Sequence, residues 1–227
     1  MARLKKIALF ISVVTIVAFS TLKNNFPKSF VNVSEVIPNL KIEMRYATKH
    51  NFVGKRINGY YAENCYLTKE AAKALEKVSL ELEENNLCLY IYDSYRPQKA
   101  VNHFVTWARD RKDTLMKNEF YPSVLKKNLF KKGYISSKSR HSSGSTIDLT
   151  LFSDETNSIL DMGSAYDFFG EESAVMYEKI TKKQQENRML LQKVMKNNGF
   201  RSYSKEWWHF TLRYEPYRNQ YFDFDIK

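Results

Sequence analysis

The sequence predicts an α+β domain with an antiparallel central sheet flanked by helices, and three observations predict it. Strand-like segments stand late in the chain, at 146–152, 200–203 and 209–213, and the last two follow one another without a helix between them. Segments of helical period stand early, after Thr68 and after Pro97, and again after Thr181. That order argues against a doubly wound parallel sheet, in which strand and helix alternate. Finally, 227 residues with 43% hydrophobic and 15% aromatic content suffice for one sizeable core and exclude a disordered chain. No repeat and no second domain boundary interrupts the pattern.

In chain order, Met1–Lys6 is basic and Ile7–Ser20 carries no charge. Such a run makes ~21 Å of helix, short of the ~30 Å hydrocarbon core of a bilayer. It reads as the apolar region of a signal peptide over residues 1–20, with Ala18 and Ser20 as small residues before a cleavage point. An uncleaved anchor over 7–20 is the alternative. Either reading places the rest of the chain in the periplasm or cell envelope, with membrane contact only through this segment. Residues 21–39, polar and holding Pro27 and Pro38, read as a connector to a domain at 40–227.

Ile42, Met44 and Tyr46 alternate and predict a strand. Thr68 caps a helix with Ala71, Ala74, Leu75, Val78 and Leu82 on one face. Leu87–Tyr92 is nearly continuous apolar sequence, the signature of a central strand. Asp93–Tyr95 turns, and Pro97 opens a helix with Ala100, Val101, Phe104, Val105 and Ala108 inward. Residues 110–135 read as a polar, basic insertion of helix and loops. Thr146–Phe152 alternates, setting Asp148 on a face with Thr146 and Thr150 and turning Ile147, Leu149 and Leu151 to a core. Residues 154–157 read as a turn and 161–169 as a loop. A last helix from Thr181 buries Met189, Leu190, Val194 and Leu191 and ends at Asn198-Gly199. A hairpin then brings His209 beside the Asp148 strand.

The net charge of +11 is consistent with nucleic acid or an anionic surface as partner. No nucleic-acid module is present, which leaves solubility and attraction to envelope polyanions as its consequences. The acid-free series Lys126, Lys127, Lys131, Lys132, Lys138 and Arg140 reads as a solvated face. Cys65 and Cys88, the two cysteines, show no scaffold pattern and no metal-pair spacing.

The chemistry concentrates in SRHSSGSTID (139–148) and EWWH (206–209). Catalytic zinc takes three protein ligands and leaves one position for water. His141, Asp148 and His209 supply three ligands for one zinc ion per chain, and Glu206 is left as a general base. Singly, each residue has an ordinary structural reading, since His and Asp have many uses. Two of only four histidines falling in these stretches favours the joint reading, and His50 and His103 are read as structural. On a regular strand, residues 206 and 209 point to opposite faces, so Glu206 is expected at a bend before the strand. Arg96, between a buried strand end and a helix start, either projects into a cleft or pairs with a surface acid.

Six segments in order resemble the zinc D-alanyl-D-alanine peptidases: RYATKHNF (45–52), NGYY (58–61), YDSYRPQKAV (92–101), SSKSRHSSGSTIDLTL (136–151), DMGSAYDFF (161–169) and the tail from Gly199. The superfamily includes bacterial D,D-carboxypeptidases and the hedgehog signalling domain, and the match is closest to dipeptidases of the vancomycin-resistance type. The resemblance implies the zinc fold of that superfamily and hydrolysis of D-alanyl-D-alanine to two D-alanines. It assigns oxyanion stabilisation to Arg96 and capture of the substrate ammonium to Asp167. It further places Tyr46, Tyr60 and Ser139 around the dipeptide. The leader departs from the resistance-type enzymes, which act in the cytoplasm. Other readings are a D,D-carboxypeptidase on peptidoglycan stems, a non-catalytic zinc-stabilised binding domain, and a wall-binding polycation; Glu206 beside an intact ligand set argues against the last two.

Overall fold

The computed structural model describes residues 26–227; the expected leader at 1–20 and the start of the connector lie outside the described residues. Among the described residues no helix is long and apolar enough to cross a membrane. The architecture is α+β. Its strands are β1 (Phe30–Asn32), β2 (Lys41–Ile42), β3 (Tyr66–Thr68), β4 (Leu87–Asp93), β5 (Thr146–Ser153), β6 (Ser158–Ile159), β7 (Phe200–Tyr203) and β8 (Glu206–Leu212). Its helices are α1 (Lys69–Glu83), α2 (Gln98–Arg109), α3 (Lys117–Phe120), α4 (Leu129–Lys132) and α5 (Lys182–Asn197).

The main sheet runs in the order β2-β4-β5-β8-β7, with β6 paired to β5. All its pairs are antiparallel except β2–β4, which is parallel. β4 and β5 are interior strands, and Leu89, Ile91, Ile147, Leu149 and Leu151 are fully buried. Each such side chain contributes about 1.5–3 kcal/mol of burial free energy. α1 and α5 pack on each other and on the sheet. α1 begins where the Thr68 hydroxyl accepts from the Ala71 N–H, and α5 begins with a capping box between Thr181 and Gln184.

Three sequence expectations change. The strand expected across 42–46 ends at Ile42, and Arg45–Ala47 forms a 3-10 turn. The buried Asn51 amide holds this turn by donating to the carbonyls of Arg45, Thr48 and Lys55. Residues 30–39, assigned by sequence to the connector, are built into the fold. β1 pairs with β3, and Phe30, Val33 and Ile37 are buried; the apolar residues at 30, 31, 33, 36 and 37 make no clear period. Finally, α5 buries Asn187, Arg188, Leu191, Val194 and Met195, whereas Leu190 is exposed and Met189 only half-buried. Arg188 is fully buried because its guanidinium donates to the carbonyls of Met162 (2.6 Å), Glu172 (2.7 Å) and Ala174 (2.5 Å). It thereby ties α5 to the loop that carries Asp167.

The chain after β8 wraps the outside of the site. The Phe222 N–H donates to Ser142 O (2.9 Å), the Gln98 N–H donates to Phe222 O (3.0 Å), and Phe224 stacks on Tyr95 at 4.0 Å. Ile226 is fully buried and bridges to Tyr60. Under this wrap lies Gly144, whose φ of +80° ends the 3-10 turn Arg140–Ser143. A Cβ there would lie 2.2 Å from Phe30. Gly144→Ala is therefore expected to lose ~1–2 kcal/mol to the left-handed backbone and a further ~1–3 kcal/mol to overpacking. Chemical denaturation measures it; a midpoint equal to that of the parent protein would refute this account of the glycine.

Candidate active site

The site is assembled on three neighbouring strands. Asp93 of β4 faces Asp148 of β5, and Asp148 faces His209 of β8. Two irregularities produce this row. Ile91 pairs with Leu149, but Asp93 and not Tyr92 pairs with Asp148, so β4 bulges at Tyr92. On β8, Phe210 pairs with Ser202 while Glu206 pairs with Tyr203, leaving 207–209 as extra residues relative to β7. Bulges of this kind bend a strand and re-aim side chains. Sequence reasoning expected Glu206 before the strand; it is the first residue of β8, and the irregularity brings its carboxylate to the side of His209. Glu206 Oε2 lies 3.6 Å from His209 Nδ1.

His141 comes from the turn before β5. The Ser139 hydroxyl caps that turn by accepting from the His141 N–H. Three donor atoms meet: His141 Nε2 to Asp148 Oδ1 is 3.2 Å, His209 Nδ1 to Asp148 Oδ1 is 3.0 Å, and the two ring nitrogens are 3.3 Å apart. His141 Nδ1 donates to Ser94 O at 2.7 Å, so Nε2 carries the lone pair. A lone pair facing a carboxylate at this distance repels it unless a proton or a cation lies between them. Tetrahedral zinc with ~2.0–2.1 Å bonds separates its ligand atoms by roughly 3.3–3.4 Å, close to this triangle. The N, N, O donor set also suits zinc. The residues fit the ion, and they are the three-residue cluster able to hold a metal among the described residues.

Around the triangle the charges are ordered. Burial would raise the Asp148 carboxyl, but His141 and His209 hold it well below the usual carboxylate range. Asp93 is fully buried and was not singled out from sequence, where it read as part of a turn. It accepts from Arg96 Nε (2.9 Å) and the Tyr60 hydroxyl (2.6 Å), and its Oδ2 lies 3.5 Å from His141 Nδ1. Asp93 thus fixes Arg96, whose guanidinium also lies over the Tyr46 ring at 5.0 Å and 3.5 Å from Asp148. The available signal was a lone carboxylate closing an apolar strand three residues before that arginine.

A cleft of about 280 Å³ opens over the row. Tyr46, Arg96, Ser139, His141, Asp148, Asp167, Glu206 and His209 all line it. Tyr60, expected at the substrate, does not: it is fully buried with its hydroxyl on Asp93. Asp167 adopts φ +61° within the Arg188-anchored loop and accepts from the Tyr46 hydroxyl at 2.8 Å. Burial first, and then the Asp148 charge, push its carboxyl well above the usual range, with Tyr46 and Arg96 opposing. Tyr166, also missed from sequence, donates to Asp148 Oδ2 at 3.2 Å while stacked on Tyr92. Burial likewise raises the Glu206 carboxyl, with His209 opposing. Of the remaining histidines, His50 meets Arg45 and Glu119, and His103 accepts from the Asn58 N–H. Cys65 and Cys88 are free and buried.

Comparison with known proteins agrees in length and in kind. Residues 27–227 match the peptidase M15 family, described as D-ala-D-ala dipeptidase. A D-alanyl-D-alanine dipeptidase of Enterococcus faecium is 40% identical over 87% of this chain and 98% of its own. Dipeptidases of the same description from Streptomyces coelicolor and Escherichia coli are 36% and 35% identical, covering 87% and 80% of this chain and 98% and 83% of theirs. A solved vancomycin-resistance D,D-pentapeptidase mutant with Zn(II) aligns over 67% of this chain and 76% of its own, at a TM-score of 0.42 and 11% identity. That last likeness is too low to add to the assignment. With a matched length that spans nearly all described residues and relatives that align end to end, the chain belongs to the D-ala-D-ala dipeptidase family of zinc metallopeptidases.

Proposed function

We propose that the protein hydrolyses D-alanyl-D-alanine to two D-alanines, with zinc held by His141, Asp148 and His209. The observation that carries this reading is one cleft holding the donor triangle, a half-buried free-standing base and a buried second carboxylate, Asp167. Zinc bound there would acidify water and polarise the scissile carbonyl. Glu206 takes a proton from the attacking water and returns it to the leaving amine. Burial suits it to this task by raising its affinity for the proton. Arg96, held by Asp93, donates to the carbonyl oxygen as negative charge develops. Asp167 pairs with the substrate ammonium, which supplies the charge its buried carboxylate otherwise lacks. Tyr46 orients Asp167 and closes that end of the cleft, so Tyr60 acts only through Asp93. Ser139 borders the dipeptide while shaping the His141 turn.

Substrate size tests the reading. An acylated amine brings bulk and no charge to Asp167. A buried charge left unpaired costs ~2–5 kcal/mol, so a preference of roughly 10²-fold or more is expected. Comparing kcat/KM for D-Ala-D-Ala with that for N-acetyl-D-Ala-D-Ala and for pentapeptide stems should show that gap. Asp167→Ala should narrow it, mainly by damaging the dipeptide reaction. Equal rates on dipeptide and pentapeptide would instead place the enzyme with the D,D-carboxypeptidases.

We further propose that the domain acts outside the cytoplasmic membrane, supported by the basic start and the charge-free run Ile7–Ser20. A reporter fused after residue 25 should be active on the outer side, and polar replacement of 7–19 should trap it inside. Recovery of the intact wild-type chain in the cytoplasm would reject export.

A further inference from the structure

We propose that a cavity in the 111–127 segment, separate from the active-site cleft, binds a phosphate group, free or esterified. The cavity encloses about 230 Å³ and shares no lining residue with the cleft. Arg111, Lys117, Lys126 and Lys127 line it, and no carboxylate does. Among the described residues the surface ion pairs form elsewhere, as in Lys99–Asp225 and Lys182–Glu186. Among the described residues, Arg111, Lys117 and Lys127 have no such partner, so their charges remain free for an anion. Lys126 plays a different part. Its ammonium donates to the carbonyls of Trp107 (2.8 Å), Asp110 (2.8 Å) and Asp113 (2.6 Å), and lies 3.9 Å from the Trp107 ring centre. It folds the cavity wall and adds field, with no free donor.

A second observation is independent of the charges. Tyr121 is fully buried and lines the cavity, yet its hydroxyl has no hydrogen-bond partner. Its ring is held edge-on to Trp107 at 5.5 Å. Burial, with Asp113 adding, pushes the phenol up to about 12, so at neutral pH it is a donor. A buried donor without an acceptor is costly, and an anion's oxygen in the cavity satisfies it. Asp113 is the neighbouring acid; it stands outside the lining and accepts from the Leu115 N–H at 3.4 Å. Three free cations and a hydroxyl-bearing side chain that line one small volume suit the several acceptor oxygens of a phosphate. Val124 and the half-exposed Leu125 make an apolar wall beside them, able to take the first carbons of an ester.

Phosphorus NMR titration of the purified protein with inorganic phosphate at low ionic strength tests the site. Saturable binding is expected, weakened at least about 10-fold by Lys117→Glu with Lys127→Glu and about 3- to 10-fold by Tyr121→Phe. D-Ala-D-Ala hydrolysis by the double variant should be unchanged, which reports an intact fold. Co-sedimentation with phosphatidylglycerol vesicles, with phosphatidylcholine vesicles as control, separates the sources. Variant-sensitive vesicle binding assigns an esterified phosphate; binding of inorganic phosphate alone assigns the free ion. Equal affinity in the wild type and the double variant, wild-type affinity in Tyr121→Phe, or no binding of either probe would overturn the proposal.

Discussion

Glu206→Ala is expected to keep zinc and fold normally yet lose D-Ala-D-Ala hydrolysis by ~10²–10⁴-fold or more, the range of general acid–base catalysis. The expectation rests on position. Glu206 lies at the start of β8, partly open to the cleft, and its carboxylate makes no hydrogen bond among the described residues, only a 3.6 Å approach to His209. Its removal takes no support from the sheet, because β8 stays paired to β5 through Thr146, Ile147 and Asp148. Two readouts are needed: zinc content per chain, and kcat at saturating dipeptide. Loss of zinc together with activity would mean that Glu206 is a ligand and that the base is another residue. Glu206→Gln should behave like the alanine variant, since it fills the space without accepting the proton.

Removing the metal should abolish turnover. The wild type is expected to hold one zinc per chain, to lose hydrolysis on exhaustive chelation and to regain it when zinc is restored. His209→Ala should lose both zinc and activity without rescue, because one corner of a 3.0–3.3 Å triangle is gone. It is the safer structural probe of the three, since the His209 side chain is 17% exposed whereas His141 and Asp148 are buried. In His141→Ala, Asp93 and Ser94 also lose a contact, so part of the loss will be stability. Full-rate hydrolysis by metal-free protein would sink the zinc mechanism outright.

Several features were legible before any coordinates because their cause is local. Thr68 and Thr181 carry hydroxyls that cap the very next turn, and the helices begin there. The apolar run at 87–92 can be buried on both faces only inside a sheet, and β4 lies between β2 and β5. The grouping of His141, Asp148 and His209 was suggested by the scarcity of histidine and by their segments, and the structure brings the three side chains together. Zinc content and turnover of the His209 and Glu206 variants test the roles proposed for these residues.

Other features had no local cause. Arg188 counts as a surface residue in any helical pattern. Its burial depends on three carbonyls that the 162–174 loop presents, and these exist only once that loop has folded against α5. Tyr60 resembles a substrate-facing residue by its segment, yet its hydroxyl is taken by Asp93, and Asp93 in turn determines where Arg96 points.

What the sequence by itself determined, then, is the class of the fold, the helix starts, the central strands and the residue types that converge. A hydroxyl next to a free N–H, or an apolar side chain every second residue, acts within a few bonds of its own position. The tertiary structure alone decided the alignment of the site. The bulge at Tyr92 sets Asp93 opposite Asp148, and the extra residues on β8 turn Glu206 towards His209. Both are mismatches between strands far apart in the chain, and register between two strands is a property of the pair, which neither segment contains alone.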